Sequence, residues 1–283
     1  MTKRSRPVLI TGCSTGIGHA TALRLLRSGL IVYATARKQE SIADLRAAGC
    51  RTLSLDVTDE ASMRSAVEAV EADYGSVGVL VNNAGYSLSG ALETLPIDEV
   101  RRQFETNVFG LLRMSQLVLP GMRRAGWGRI VNLGSMGGRL SFPGGGAYHA
   151  SKHAVEALSD TLRFEVSGFG VKVVLIEPGF IRSEFAATAT ETIDAADGPY
   201  GRFNADVGRL TEGVYGDGVL GRLGGDPDRV AAAVERAITR RNPPARMLVT
   251  PSARLLVGTR RALPDPAWDR FLATRYRHPG PQD

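Results

Sequence analysis

The sequence predicts one α/β domain: a doubly wound parallel sheet with helices on both faces. Three observations predict it. Short runs rich in Val, Ile and Leu alternate with helical patterns along most of the 283 residues. Several of these runs lack the polar alternation of a half-exposed strand, as expected of parallel strands covered on both faces. No internal repeat or low-complexity linker divides the chain, so residues 1–283 read as a single domain.

The first strand is expected over Pro7–Ile10 and leads into Thr11-Gly12-Cys13-Ser14-Thr15-Gly16-Ile17-Gly18. Gly12, Gly16 and Gly18 lie between that strand and a helix over Ile17–Ser28. Their missing Cβ atoms allow a tight turn and let backbone N–H groups approach a pyrophosphate, while the helix N-terminus adds about half a positive charge. The spacing is GxxxGxG rather than the generic GxGxxG, yet its place between strand and helix predicts a Rossmann-like nucleotide site.

The second strand, Leu30–Thr35, ends in Ala34-Thr35-Ala36-Arg37-Lys38, with no acid before Glu40. An acid at that strand end would accept the ribose 2′-hydroxyl of NAD. Arg37 instead suits a charge-assisted bond to a 2′-phosphate, with Ser14 and Thr15 as nearby hydroxyl donors. NADP(H) is therefore expected over NAD(H).

Further strands are expected over Arg51–Leu55, Val77–Asn82, Gly128–Leu133, Val171–Glu177 and Met247–Thr250, with helices over Ser62–Tyr74, Glu99–Ala125 and Tyr148–Gly168. Residues 183–225 are rich in Ala, Thr, Gly and Asp. An irregular stretch just after a strand end suits a mobile substrate lid. Residues 251–283 form a C-terminal extension, with a short helical pattern at Pro266–Tyr276 carrying Trp268 and Phe271.

Tyr148 and Lys152 stand four residues apart on one helical face, and Ser135 precedes the tyrosine by thirteen residues. A free phenol has a pKa near ~10, too high for a base at neutral pH. An ammonium at about 4 Å and an effective dielectric of ~20 contributes on the order of 4 kcal/mol, roughly three pK units before desolvation is subtracted. Tyr148 is thus expected to trade a proton with a reacting oxygen that Ser135 steadies. Lys152 lowers the tyrosine pKa and binds the nicotinamide ribose. Leu140, Phe142 and Phe180, with Tyr200 and Phe203, are candidates to line an apolar substrate pocket, ordinary core packing being the alternative for Leu140 and Phe142. His149 is turned about 100° around the helix from Tyr148. It is expected to miss the substrate and to serve at the surface or a subunit contact. Cys13 is expected to pack, although a helix N-terminus lowers the pKa of an accessible thiol.

Several classes are excluded. No apolar run approaches the roughly 18 residues of a membrane span. Val8-Leu9-Ile10 is too short for a signal-peptide core, so a cytoplasmic location is expected. Cys13 and Cys50 lack disulfide or zinc spacing, and His19 and His153 have no metal partners at ligand spacing, so no metal is expected. The net charge of +6 comes from scattered arginines, densest towards the C-terminus, without a nucleic-acid motif.

These residues resemble the short-chain dehydrogenase/reductase family over about residues 7 to 250. Thr11 to Gly18 match its TGxxxGIG turn and Asn82-Asn83-Ala84-Gly85 its NNAG element. Asn107, Ser135, Tyr148 and Lys152 match its catalytic tetrad. The resemblance implies that Asp56 and Val57 touch the adenine, that Asn83, Ala84 and Gly85 lie beside the cofactor, and that Pro178 and Gly179 form the turn beside the nicotinamide. Ile181 and Ser183 fall where the family has an apolar residue and a threonine on the carboxamide. From spacing alone Asn107 is an Asn in a long helix, where it costs stability. The family implies that it holds a water linking the lysine to a proton relay. Val32 to Arg37 and Ile176 to Phe180 resemble the branch of 17β-hydroxysteroid and retinol dehydrogenases. A homodimer or homotetramer is implied, through the helices carrying Asn107 and Tyr148, with Phe109, Leu112, Leu117 and Phe164 available. The expectation is an NADP(H)-dependent oxidoreductase interconverting a hydrophobic ketone or aldehyde and its alcohol. A ketoacyl-thioester reductase and a non-catalytic NADP(H)-sensing protein are the alternatives.

Overall fold

The computed structural model describes residues 6–182, 193, 198–215 and 223–280. Strand β1 (Val8–Ile10) is buried along its length and pairs in parallel with β2 (Val32–Ala36) and β4 (Val79–Asn82). With β3 (Arg51–Ser54), β5 (Gly128–Leu133), β6 (Val171–Glu177) and β7 (Arg246–Leu248), the sheet runs β3-β2-β1-β4-β5-β6-β7, every pair parallel. The order reverses between β1 and β4, and in such sheets ligands bind beyond the carboxyl ends of the strands at that point.

Alternation within the strands feeds two apolar layers. Val8, Ile10, Ala34, Val81 and Val174 face α1 (Gly16–Arg27) and α8 (Pro227–Thr239), whose Ala22, Leu25, Val230 and Val234 cover them. Leu9, Tyr33, Leu80, Ile130 and Val173 face α3 (Glu60–Tyr74) and α5 (Leu111–Ala125), through Val67, Val70, Met114 and Val118. Helix α6 (Gly146–Glu165) carries the tyrosine–lysine pair. Helix α2 (Ala43–Ala48) completes the β2–β3 connection.

Several elements differ from expectation. The helix read over Glu99–Ala125 is three pieces: α4 (Ile97–Phe104), a π-helical turn over Glu105–Gly110, and α5. Gly110 of that turn abuts β3's exit, where a Cβ would lie 2.5 Å from the Val57 carbonyl oxygen. The last strand ends at Leu248, because the Thr250 hydroxyl accepts from the Ala253 N–H and caps α9 (Pro251–Ala262). Helix α3 starts two residues early, since the Asp59 side chain accepts from the Ala61 and Ser62 N–H groups. The stretch read as irregular contains helix α7 (Gly201–Tyr215). Phe203 and Val207, one turn apart, bury against Ala91 and hold it. Ser183 lies outside the described residues.

Helix α10 (Asp265–Ala273) follows α9, and its Trp268 is buried against Met136, Leu140 and Leu256. Phe109 and Phe164 are exposed, 52% and 84%, on the face where the family resemblance implies a partner. Among the described residues no helix is long and apolar enough to cross a membrane.

Candidate active site

A cleft of about 1360 Å³ crosses the carboxyl ends of the strands. Its wall brings together Gly12, Ser14, Thr15, Gly16 and Ile17, then Arg37, Asp56, Val57, Asn83, Ala84 and Gly85. Ser135, Phe142, Tyr148, Lys152, Pro178, Gly179, Phe180 and Ile181 complete it. Of the residues expected at the site, Gly18, Asn107 and Leu140 stand behind the wall.

The first turn is close-packed. Gly12 and Gly16 have φ of 71° and 58°, a region that favours glycine. A Cβ on Gly12 would lie 2.9 Å from the Ala84 Cα; one on Gly18 would lie 2.2 Å from the Gly12 carbonyl oxygen. The Asn83 amide donates to the Thr11 and Gly12 carbonyl oxygens at 2.9 and 2.7 Å, so its side chain braces the turn. No side chain caps α1, and its first turn holds no acid. Those free N–H groups suit the phosphates of a dinucleotide. Cys13 packs, as expected: burial pushes its thiol up to about 12.

Arg37 and Lys38 are exposed at one end of the cleft, beside Ser14 and Ser41. Arg102 of α4 lies on the same wall, and the charges of Arg37 and Arg102 both act on the Tyr86 phenol. Asp56 is fixed locally, its Oδ1 accepting from the Thr58 N–H and hydroxyl at 2.9 and 2.7 Å.

At the other end Ser135 stands close enough to the Tyr148 phenol to act on it, and the Ser135 Oγ accepts from the Gly137 N–H at 3.0 Å. Ser135 is held by the next residue, since the Met136 N–H donates to the Pro178 carbonyl oxygen at 2.9 Å. Lys152 Nζ donates to the Leu133 carbonyl oxygen at 2.8 Å and lies 5.8 Å from the Tyr148 ring centroid. Burial sets the direction at both groups. It pushes the Tyr148 phenol up to about 12 and the Lys152 ammonium down to about 8. The lowering expected from Lys152 is not seen: desolvation sets the direction and Ser135 opposes it.

Asn107 sits in the π-helical turn. Its Nδ2 donates to the Tyr86 carbonyl oxygen at 2.9 Å and to Ser151 Oγ at 3.0 Å, and its Oδ1 accepts from the Tyr86 N–H at 3.1 Å. The wider turn aims this side chain at the strand β4 exit. A Cβ on Gly85 would lie 3.0 Å from Asn107 Oδ1 and 3.8 Å from Lys152 Nζ, which places the amide near the lysine.

Two side chains depart from expectation. Leu140 is buried with Met136, Leu256 and Trp268 and does not reach the cleft. His149 is not at the surface: it is 7% exposed, and burial lowers its pKa to about 4. The cause is the loop of Gly137 and Gly145, which folds over the first turn of α6. Sequence reading also missed the far wall, where Val207, Leu210, Val214, Leu256, Phe271 and Leu272 present apolar surface, with Arg275 and Tyr276 beside them. The Leu210–Val214 and Phe271–Arg275 helical spacings were its only local signals.

Behind the site, Arg246 joins three acids. Its Nε lies 3.0 Å from Glu156 and 3.6 Å from Glu177, and it also pairs with Asp160. Arg139 reaches Glu177 at 3.2 Å. Burial and the Glu177 carboxylate hold Glu156 well above its ordinary 4.5. A raised folded-state pKa means the folded protein keeps a proton that the unfolded chain releases. The resulting stability is full below 4.5 and is lost as pH rises to mildly alkaline values. Glu156→Gln should remove this dependence, so its melting temperature should exceed that of the wild type at mildly alkaline pH. An equal decline in both proteins would count against the raised Glu156 pKa.

The short chain dehydrogenase family model matches residues 6–194. The chain is 39% identical over 269 residues to a 3-ketodihydrosphingosine reductase of Bacteroides thetaiotaomicron, covering 91% of this chain and 93% of the relative. It is 33% identical over 277 residues to an NADPH-dependent 3-dehydrocapnine reductase of Ornithobacterium rhinotracheale, covering 94% and 96%. A crystal structure of a short-chain dehydrogenase from Streptomyces avermitilis aligns with a TM-score of 0.77 at 36% identity, over 94% of this chain and 97% of the other.

Proposed function

The chain belongs to the short chain dehydrogenase family of oxidoreductases, which act on carbonyl and CH–OH groups, and from that premise we propose that it is an NADP(H)-dependent reductase of an apolar ketone. The observation that carries the reading is the meeting of Ser135, Tyr148 and Lys152 on the wall of one cleft that also holds the uncapped N-terminus of α1. The names of the two reductases above support ketone reduction, and one of them supports NADPH. The apolar far wall supports an aliphatic or similarly apolar substrate.

Bound NADPH would supply the hydride. The protein's part is proton supply and position. Tyr148, its phenol neutral up to about 12, donates its proton to the carbonyl oxygen. Ser135 hydrogen-bonds the same oxygen and stabilises its developing charge. Lys152 takes the ribose hydroxyls and, while protonated, favours the tyrosinate left after transfer. Asn107 holds the Tyr86 backbone and the Ser151 hydroxyl next to the lysine, in position to order a water. Gly12 to Ile17 hold the pyrophosphate, Asp56 and Val57 border the adenine, and Pro178, Gly179, Ile181 and Ser183 serve the nicotinamide. Phe142 and Phe180 bound the substrate. Phe109 and Phe164 carry the proposed homo-oligomer contact.

Arg37 and its neighbours Lys38 and Arg102 favour the 2′-phosphate. Arg37→Ala should weaken NADPH binding by about tenfold or more, a charge-assisted bond being worth ~1.5–3 kcal/mol, while NADH binding changes little. Titration of both coenzymes measures it. Unchanged NADPH affinity, or tighter NADH than NADPH in the wild type, would reverse the assignment.

A further inference from the structure

The mechanism above leaves His149 unused, although it adjoins the catalytic tyrosine. Its ring occupies a slot between two glycines. A Cβ on Gly137 would lie 2.5 Å from Nδ1, and one on Gly145 would lie 2.7 Å from Nε2. Nδ1 is 3.1 Å from the Gly137 carbonyl oxygen. That oxygen can only accept, so Nδ1 carries the proton and Nε2 carries the lone pair. Desolvation keeps the ring neutral through the working pH range, with a pKa of about 4. The tautomer is therefore fixed, and Nε2 is a permanent acceptor.

The position of this acceptor is equally constrained. The Gly137 N–H donates to Ser135 Oγ, so the imidazole and the serine that steadies the reacting oxygen hang on the same short turn. The His149 ring centroid is 5.7 Å from Tyr148 and 5.9 Å from Phe142, and the residue forms part of the cleft wall. Among the described residues no donor hydrogen-bonds Nε2, and the atom is not sealed from solvent. A fixed acceptor open on the cleft wall discriminates between ligands that can and cannot donate to it.

We infer that His149 Nε2 accepts a hydrogen bond from a hydroxyl or amino group carried near the reacting carbonyl, which makes hydroxy or amino ketones the preferred substrates over plain ketones. The inference rests on the reductase reading above. It makes His149 a specificity-determining residue rather than a catalytic one: the proton still comes from Tyr148. A plain ketone leaves Nε2 unpaired, and the missing bond lowers the rate without altering the chemistry.

Three ketones of equal chain length test it: one with an α-hydroxyl, one with an α-amino group, one with neither. Wild-type kcat/KM should favour at least one of the first two by about tenfold or more. Which of them wins identifies the donor. In His149→Phe that preference should collapse to about threefold or less, and His149→Gln, whose amide oxygen accepts, should retain part of it. Equal kcat/KM for all three ketones in the wild type, or a preference that survives in His149→Phe, overturns the inference. His149→Phe also loses the bond to Gly137, so a second measurement uses the wild type alone. Trp268, 6.1 Å from Phe142, reports binding of the matching vicinal diol, amino alcohol and plain alcohol by its fluorescence. Tighter binding of the diol or amino alcohol by about tenfold is expected, and equal binding overturns the inference. Should no ketone be turned over while the diol or amino alcohol still binds preferentially through His149, the reductase reading falls and the acceptor role stands.

Discussion

Tyr148→Phe should still bind NADPH yet lose ketone reduction by roughly 10²–10⁴-fold, the usual contribution of a positioned general acid. The substitution removes one oxygen from a packed wall. The ring keeps its place against His149, at 5.7 Å, and Lys152 keeps its bond to the Leu133 carbonyl oxygen. Loss of turnover with retained coenzyme binding thus isolates the proton transfer. The pH profile adds a second readout. Reduction needs a protonated phenol, and burial secures that up to about 12. The nearer limit is Lys152, which loses its charge as pH rises through about 8. Wild-type kcat/KM for reduction should accordingly fall above that pH. Residual activity of the phenylalanine variant within about tenfold of wild type would remove Tyr148 from the mechanism.

Gly18→Ala should be the most damaging single-methyl change in the coenzyme half. The added carbon would fall 2.2 Å from the Gly12 carbonyl oxygen and 2.5 Å from the Asn83 amide nitrogen. Neither neighbour can yield cheaply: Gly12 is locked at φ 71° against Ala84, and the Asn83 amide spans two carbonyl oxygens. The turn must open, so a loss of about 1–3 kcal/mol of stability is expected, with NADPH affinity falling by on the order of a hundredfold. Gly258→Ala in α9 is the control. A Cβ there meets nothing within 4 Å, and removing a helical glycine should raise stability by about 0.5–1 kcal/mol. Thermal melts and NADPH titrations of the two variants compare them directly. Wild-type affinity in Gly18→Ala would mean that the turn does not hold the coenzyme.

Local signals made the coenzyme half readable. Strands β5 and β6 have the bounds expected from their Val, Ile and Leu content, and Gly12, Gly16, Arg37, Ser135, Tyr148 and Lys152 meet on one wall as their motifs imply. Features set by distant contacts were not readable. The π-helical turn depends on Gly110 meeting Val57, and α7 depends on Phe203 and Val207 finding Ala91. Nothing near His149 in sequence announces that Gly137 and Gly145 will close over it. The direction of the Tyr148 shift also lay beyond the sequence, because it turns on how dry the wall is rather than on which cation stands beside it.

The far wall of the cleft is contributed late in the chain, by Val207, Leu210 and Val214 of α7, Leu256 of α9, and Phe271 and Leu272 of α10. The glycine turn, Arg37 and the tyrosine–lysine pair all lie before residue 153. Most of the proposed coenzyme side thus precedes the stretches that supply the far wall. Mutations can remodel the guest's chamber while the redox machinery keeps its dimensions, so a lineage built on this plan can change diet without relearning how to deliver hydride.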